Sequence, residues 1–133
     1  DDFSLARMLA LRAFGYKVGL SDHTKPMETG LVASKIAILL GADYVERHFT
    51  VLERDKTKDG PVSITPNELA ELSQFSKLSI IEQLEQINFN DLNSSYRCIS
   101  LEPNEIEIIN RRYYRGRVAS KIDGVEVFSW ENP

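Results

Sequence analysis

The sequence predicts an α/β fold in which short parallel strands alternate with helices. Two short strand-like segments each end in a polar cluster, an apolar helical run separates them, and an amphipathic helix follows the second. Short strands alternating with helices are typical of βα units. Right-handed crossovers between such units make successive strands parallel neighbours.

The first helix and strand are predicted from apolar spacing and from a glycine. In residues 3–14 the apolar residues recur at helical spacing, and Gly15 follows as a helix terminator. Residues 17–20 then predict a short strand. Residues 22–28 contain a proline and predict a loop.

The second unit begins with the most apolar part of the chain. Residues 29–40 predict a helix that is buried over most of its circumference and ends at Gly41. A second strand begins at Tyr44. Residues 49–64 are mostly polar and predict a long loop.

The helix after this loop has a clear start signal. Thr65 is the predicted N-cap, Pro66 occupies the first turn, and Glu68 completes a capping box. Apolar residues at amphipathic spacing then continue to about residue 87. We therefore expect one helix over residues 65–87.

Beyond residue 88 the character of the sequence changes. Residues 88–95 predict a polar break, Glu102 starts a short helix, and residues 111–119 and 124–128 predict two strands. We expect three parts: βα units over residues 1–88, a linker over 89–101, and a short helix with the start of a small β segment over 102–133.

Composition excludes several classes of protein. A net charge of −4 without a long basic run gives no reason to expect a nucleic-acid partner. The single Cys98 excludes an internal disulfide and fits a reducing compartment, which predicts a cytoplasmic protein. No apolar run approaches the roughly 20 residues that span a membrane. Because the chain opens without an initiator Met, we expect a fragment of a longer protein.

The chain's only two histidines lie at the two predicted strand ends, in GLSDHT and VERHFT. Side chains alternate along a strand, so Ser21 shares a face with His23, and Glu46 shares a face with His48. Parallel neighbours lie about 4.8 Å apart, and their carboxyl ends share one edge. The two histidines can therefore form half of a metal site, with Ser21 and Glu46 on the same lining.

The same residues have structural explanations. A histidine near a strand end is usually a hydrogen-bonding residue, Glu46 could form an ion pair with Arg47, and Ser21 could cap the following loop. Spacing alone therefore predicts a site without identifying its reaction.

Four motifs together resemble the sialic acid synthase (N-acetylneuraminate synthase) family, which includes synthases of related nonulosonic acids. They are GLSDHT, LGADYVERHFT, a polar loop with Gly-Pro, and ITPNELAEL. The resemblance is good over residues 3–72. It is weaker over 110–128, which resemble the start of the family's antifreeze-like (SAF) domain. It implies that the chain is the C-terminal portion of a (β/α)8 TIM barrel, followed by a linker and that β segment.

The resemblance also implies a reaction and roles. Family members condense phosphoenolpyruvate with an N-acyl hexosamine such as N-acetylmannosamine, and the full-length enzyme is expected to be a homodimer. His23 and His48 would bind the divalent ion, manganese rather than magnesium, because magnesium prefers oxygen ligands. Ser21 matches a position that contacts phosphoenolpyruvate. Glu46 matches a carboxylate that handles a proton beside the metal.

The sequence departs from the family pattern after the second histidine. The usual Gly-Pro-Asp is Gly-Pro-Val here, and the side chain of Val62 cannot bind a cation. Asp59 lies just before this turn and is the candidate replacement, which we assign to substrate binding. The lysines that hold phosphoenolpyruvate would come from earlier strands. Two strands cannot close an eight-stranded barrel, so we expect these 133 residues alone to be inactive.

Two other hypotheses stay open at this point. The chain could belong to another metal-dependent barrel aldolase. It could also be a non-catalytic interaction or glycan-binding module, which the valine at position 62 would favour.

Overall fold

The computed structural model describes residues 5–95, 105, 108–110, 119–122 and 125–128. The chain divides into two compact units, Asp1–Ile99 and Ser100–Pro133. The helices of the first unit are α1 (Ala6–Arg12), α2 (Pro26–Thr29), α3 (Val32–Leu39), α4 (Pro66–Phe75), α5 (Ile80–Glu85) and α6 (Phe89–Ser95). Its strands are β1 (Gly19–Asp22) and β2 (Tyr44–Arg47), and its long loop contains the 3₁₀ turns Arg54–Lys56 and Gly60–Val62.

Strands β1 and β2 pair in parallel, which confirms the predicted α/β class with a parallel sheet. The first strand was expected over residues 17–20, but the ladder covers Gly19–Asp22. Val18 lies just before the ladder, where its backbone N–H donates to the Asp43 carboxylate at 3.0 Å and its carbonyl accepts from the Asp43 N–H at 2.8 Å. The paired strand therefore extends to Asp22, next to the first histidine.

The larger apolar cluster of this unit lies between α1, α3 and the sheet. Its buried members are Leu5, Met8, Val18, Ile36 and Ala37, and a second cluster contains Leu31, Ile64 and Leu72. Ile36 and Ala37 are completely inaccessible, which agrees with the prediction that the apolar helix is buried over most of its surface. Helix α3 thus provides a rigid support against which the sheet packs.

Three local predictions were wrong. The loop predicted over residues 22–28 contains α2, which ends at Gly30 with φ at +61°, so α3 begins only at Val32. The helix predicted over residues 65–87 is two helices. The polar break predicted over residues 88–95 contains α6, whose Leu92 packs against the core.

The break between α4 and α5 has a clear cause. Ser79 and Glu82 form a second capping box, which starts a new helix in the middle of the apolar pattern. The buried Gln83 side chain donates to the carbonyls of Phe75 and Leu78 at 3.1 and 3.2 Å. These bonds satisfy backbone groups that the end of α4 leaves without helical partners.

The capping box predicted at the start of α4 is confirmed, and its Glu68 side chain also contacts Arg54. The Glu68 carboxylate accepts from the Thr65 backbone and hydroxyl, and it forms an ion pair with Arg54 of the long loop. Burial acts to raise the pKa of Glu68, but these hydrogen bonds and the Arg54 charge outweigh it and lower the pKa below its ordinary value of 4.5.

In the second unit, β3 (Ala119–Ile122) pairs in antiparallel fashion with β4 (Val125–Phe128), and residues 105 and 108–110 are helical. Most of the strand predicted over residues 111–119 lies outside the described residues, as does Cys98. Among the helices of the described residues, none is both long and apolar enough to cross a bilayer.

Glu68→Gln should destabilise the full-length protein by about 1 kcal/mol at neutral pH. A carboxylate whose pKa is lowered in the folded state stabilises the fold above its unfolded pKa, and this stabilisation is lost as the pH falls through the folded pKa. The difference between wild type and variant in urea unfolding should therefore shrink below about pH 4. Glu82→Gln is the matched control, because Glu82 is fully exposed and its pKa is lowered by hydrogen bonds from Ser79. An equal loss in both variants would contradict the role of Arg54.

Candidate functional site

The parallel ladder places the two histidines side by side. Ser21 is the cross-strand partner of Glu46, and Asp22 is the partner of Arg47. His23 and His48 each follow the last paired residue of their strand, so they leave the sheet at the same height. Their shared position is a consequence of the register.

The two imidazole rings face each other through their Nε2 atoms. Their Nε2 atoms lie 3.2 Å apart, with ring centroids 5.0 Å apart and an interplanar angle of 66°. The His48 side chain is 39% exposed and His23 is also exposed, so solutes can reach both rings. The structure thus brings together the two residues that the sequence assigned to a metal.

This donor pair fits a divalent ion. Two imidazole nitrogens that bind one ion at about 2.1 Å lie roughly 3.0–3.4 Å apart at octahedral or tetrahedral angles. The observed 3.2 Å is inside this range. Among the residues that the structure describes, no group of three His, Cys, Asp or Glu side chains could hold a metal ion. The described residues therefore offer two nitrogen ligands, and further ligands would have to come from elsewhere.

Ser21 and Glu46 are both exposed and occupy one register position on the sheet. Their neighbours Asp22 and Arg47 point to the opposite face, because side chains alternate along a strand. Ser21 and Glu46 therefore share the exposed face of these two strands.

A buried ion pair joins the two residues that directly precede the histidines in the chain. Arg47 Nη1 and Asp22 Oδ1 are 2.5 Å apart, and the two side chains are only 3% and 1% exposed. The ion pair considered for Arg47 and Glu46 is therefore wrong, because Arg47 pairs across the strands with Asp22. The sequence did contain a signal: an acidic and a basic residue precede the two histidines at equivalent positions.

The ion pair also holds neighbouring segments. The Asp22 carboxylate accepts from the Thr24 backbone and hydroxyl at 2.8 Å each, and from the Ser34 hydroxyl of α3 at 2.5 Å. Arg47 Nη2 donates to the carbonyls of Thr24 and Val62 at 2.9 and 3.3 Å. These contacts pair the Asp22 carboxylate and both terminal nitrogens of Arg47, whereas the buried Arg47 Nε atom has no hydrogen-bond partner among the described residues.

Asp59 lies near the second histidine but at its other nitrogen. Its Oδ2 atom is 3.9 Å from His48 Nδ1, whereas His48 Nε2 faces His23. Asp59 precedes a tight 3₁₀ turn in which a Cβ atom on Gly60 would lie 1.6 Å from the Arg54 carbonyl oxygen. The turn therefore requires glycine at position 60, because the Arg54 backbone leaves no room for a Cβ atom there.

Residues 1–86, more than half of the chain, match the NeuB family. The chain belongs to the NeuB family. The resemblance that the histidine motifs predicted is therefore confirmed, and the family is one of sialic and related nonulosonic acid synthases.

Curated relatives of this NeuB chain are synthases of several nonulosonic acids. Pseudaminic acid synthase of Campylobacter jejuni is 29% identical over 99% of this chain and 34% of its own length. N,N'-diacetyllegionaminic acid synthase of the same species is 40% identical over 52% of this chain and 20% of its own length. N-acetylneuraminate-9-phosphate synthase of Drosophila melanogaster is 39% identical over 52% of this chain and 18% of its own length.

The chain thus spans between about a sixth and a third of the length of these relatives. No solved structure gave a significant match.

Gly60→Ala should destabilise the full-length protein by about 2 kcal/mol or more, because the new Cβ atom overlaps the Arg54 carbonyl and must displace the turn. Gly15→Ala is the control. Gly15 has φ at +82°, but a Cβ atom at this position would meet no other atom within 4 Å, so that variant should lose only about 1 kcal/mol. Urea unfolding measures both changes. An equal loss of stability in the two variants would show that the contact between position 60 and the Arg54 backbone does not constrain the turn.

Proposed function

We propose that this chain supplies metal- and substrate-binding residues to a synthase that condenses phosphoenolpyruvate with an N-acyl hexosamine, releases phosphate and forms a nonulosonic acid. The supporting observation is the pair of imidazole nitrogens 3.2 Å apart at the ends of two parallel strands. Membership of the NeuB family and the synthase names of the relatives favour the same function. They make another type of barrel aldolase the weaker hypothesis.

In this proposal β1 and β2 are neighbouring strands of a (β/α)8 barrel, and the second unit starts an SAF-like β segment. The histidines then lie at the carboxyl edge, where such barrels build their sites. The remaining strands would supply the groups that hold phosphoenolpyruvate. We accordingly propose that the 133 residues are inactive alone and that the full-length protein is a cytoplasmic homodimer.

His23 and His48 would hold the divalent ion through their Nε2 atoms, and their nitrogen donors favour manganese over magnesium. When bound, the ion would supply Lewis acidity toward the aldehyde oxygen of the acceptor sugar. The chain's own contribution is to present both donors at a separation that one ion can bridge.

The roles proposed for the other site residues come from the resemblance to the family, and their positions on the strands are compatible with them. Ser21 offers a hydroxyl to phosphoenolpyruvate from the exposed face of β1. Glu46, its cross-strand partner, offers a carboxylate that takes a proton during water attack or returns one to the new hydroxyl. Asp59 is proposed to contact substrate, and its carboxylate lies 3.9 Å from His48 Nδ1, on the side of the ring away from Nε2.

His23→Ala and His48→Ala should each abolish Mn²⁺ binding by the full-length protein, because each removes one of the two nitrogen donors. Isothermal titration calorimetry with Mn²⁺ measures the loss. Ser21→Ala is the matched control, since it lies beside the histidines and should retain metal binding. Unchanged Mn²⁺ affinity in both histidine variants would refute the metal site and favour a non-catalytic module.

Glu46→Gln should lower kcat by a factor of about 10² to 10⁴ while leaving Mn²⁺ affinity within about twofold of wild type. The amide keeps the size of the side chain but cannot take a proton. Phosphate release from phosphoenolpyruvate with N-acetylmannosamine or another N-acyl hexosamine is the assay. If the wild-type protein releases no phosphate with any N-acyl hexosamine, the synthase proposal fails.

A further inference from the structure

The ion pair between Asp22 and Arg47 takes no part in the chemistry proposed above. Each member nevertheless directly precedes one of the two histidines, and both side chains are almost completely buried. A buried ion pair often adds little net stability, because removing two charges from water offsets their attraction. Its members are the last paired residues before both histidines, which suggests a role in the geometry of the two rings.

We propose that the Asp22–Arg47 ion pair is a positioning device that sets the separation of the His23 and His48 Nε2 atoms. It thereby determines how tightly the site binds a divalent cation. This inference rests on the proposed function, in which the two histidines hold the ion.

The first step is the restraint on the strand ends. The two charged residues are cross-strand partners, so their 2.5 Å contact joins the last paired residues of β1 and β2. Asp22 is also fixed to α3, because it accepts from the Ser34 hydroxyl, which is completely buried. The residues before the two histidines are thus bonded to each other, and through Asp22 to the buried Ser34 of α3.

The second step concerns the hydrogen bonds that the Arg47 guanidinium makes with residues outside the two strands. Arg47 donates to the hydroxyl and the carbonyl of Thr24, the residue that follows His23. It also donates to the carbonyl of Val62, in the turn that follows Asp59. One side chain therefore holds the chain on both sides of the first histidine and the loop beside the second.

The third step is the sensitivity of metal binding to this geometry. A bound ion needs both nitrogens at about 2.1 Å, so a shift of a few tenths of an ångström in one ring weakens a ligand bond. Residues that orient metal ligands typically change metal affinity by about 10- to 100-fold when they are replaced. A change at Asp22 should therefore appear in metal affinity even if the fold is kept.

The test uses the full-length protein and Mn²⁺ titration calorimetry, with circular dichroism to confirm folding. Asp22→Asn keeps the shape of the side chain and should raise the Kd for Mn²⁺ by about 10-fold or more. Glu71→Gln is the control, because it removes a different ion pair, the one between Lys35 of α3 and Glu71 of α4 at 2.7 Å. This control should stay within about twofold of the wild-type Kd.

A second variant covers the case in which Asp22→Asn does not fold, since it leaves the Arg47 charge buried without its partner. The double variant Asp22→Asn with Arg47→Met removes both charges and should fold while binding Mn²⁺ at least about 10-fold more weakly. Wild-type affinity in this double variant would overturn the inference and leave the proposed metal site intact. A wild-type protein that binds no Mn²⁺ would overturn both proposals.

Discussion

The parallel register of β1 and β2 is the constraint on which the candidate site depends. It places Asp22 opposite Arg47 on the buried face and Ser21 opposite Glu46 on the exposed face. Because the side chains of a strand alternate, a shift of one residue in either strand would exchange these faces. The histidines that follow the ladder converge only because both strands end at the same register position.

The buried ion pair makes this register more specific than apolar packing alone could. Core residues such as Ile36 and Ala37 favour burial of the sheet, but apolar contacts tolerate small displacements. Asp22 instead requires Arg47, Thr24 and Ser34 at hydrogen-bonding distance. Any other register would leave a buried charge unpaired, which typically costs about 3–5 kcal/mol.

The sequence predicted the features that follow from regular periodicity. Two apolar segments with polar ends were enough to predict parallel strands and two histidines at one edge. Features that depend on individual side chains were missed. The helix over residues 65–87 breaks at Ser79 because a second capping box competes with an apolar pattern that continues unchanged. The partner of Asp22 was missed because the sequence shows only that a charged residue precedes each histidine.

The same contacts give a physical reason why the turn after the second histidine can carry Val62. Arg47 contacts the carbonyl oxygen of this residue, and a carbonyl is supplied by any amino acid. The glycine before it is constrained differently, since a Cβ atom at Gly60 would overlap the Arg54 backbone. The contacts that hold this turn thus involve its backbone and its glycine, and they do not use the side chain of Val62. The carboxylate close to His48 is that of Asp59, the residue that precedes this turn.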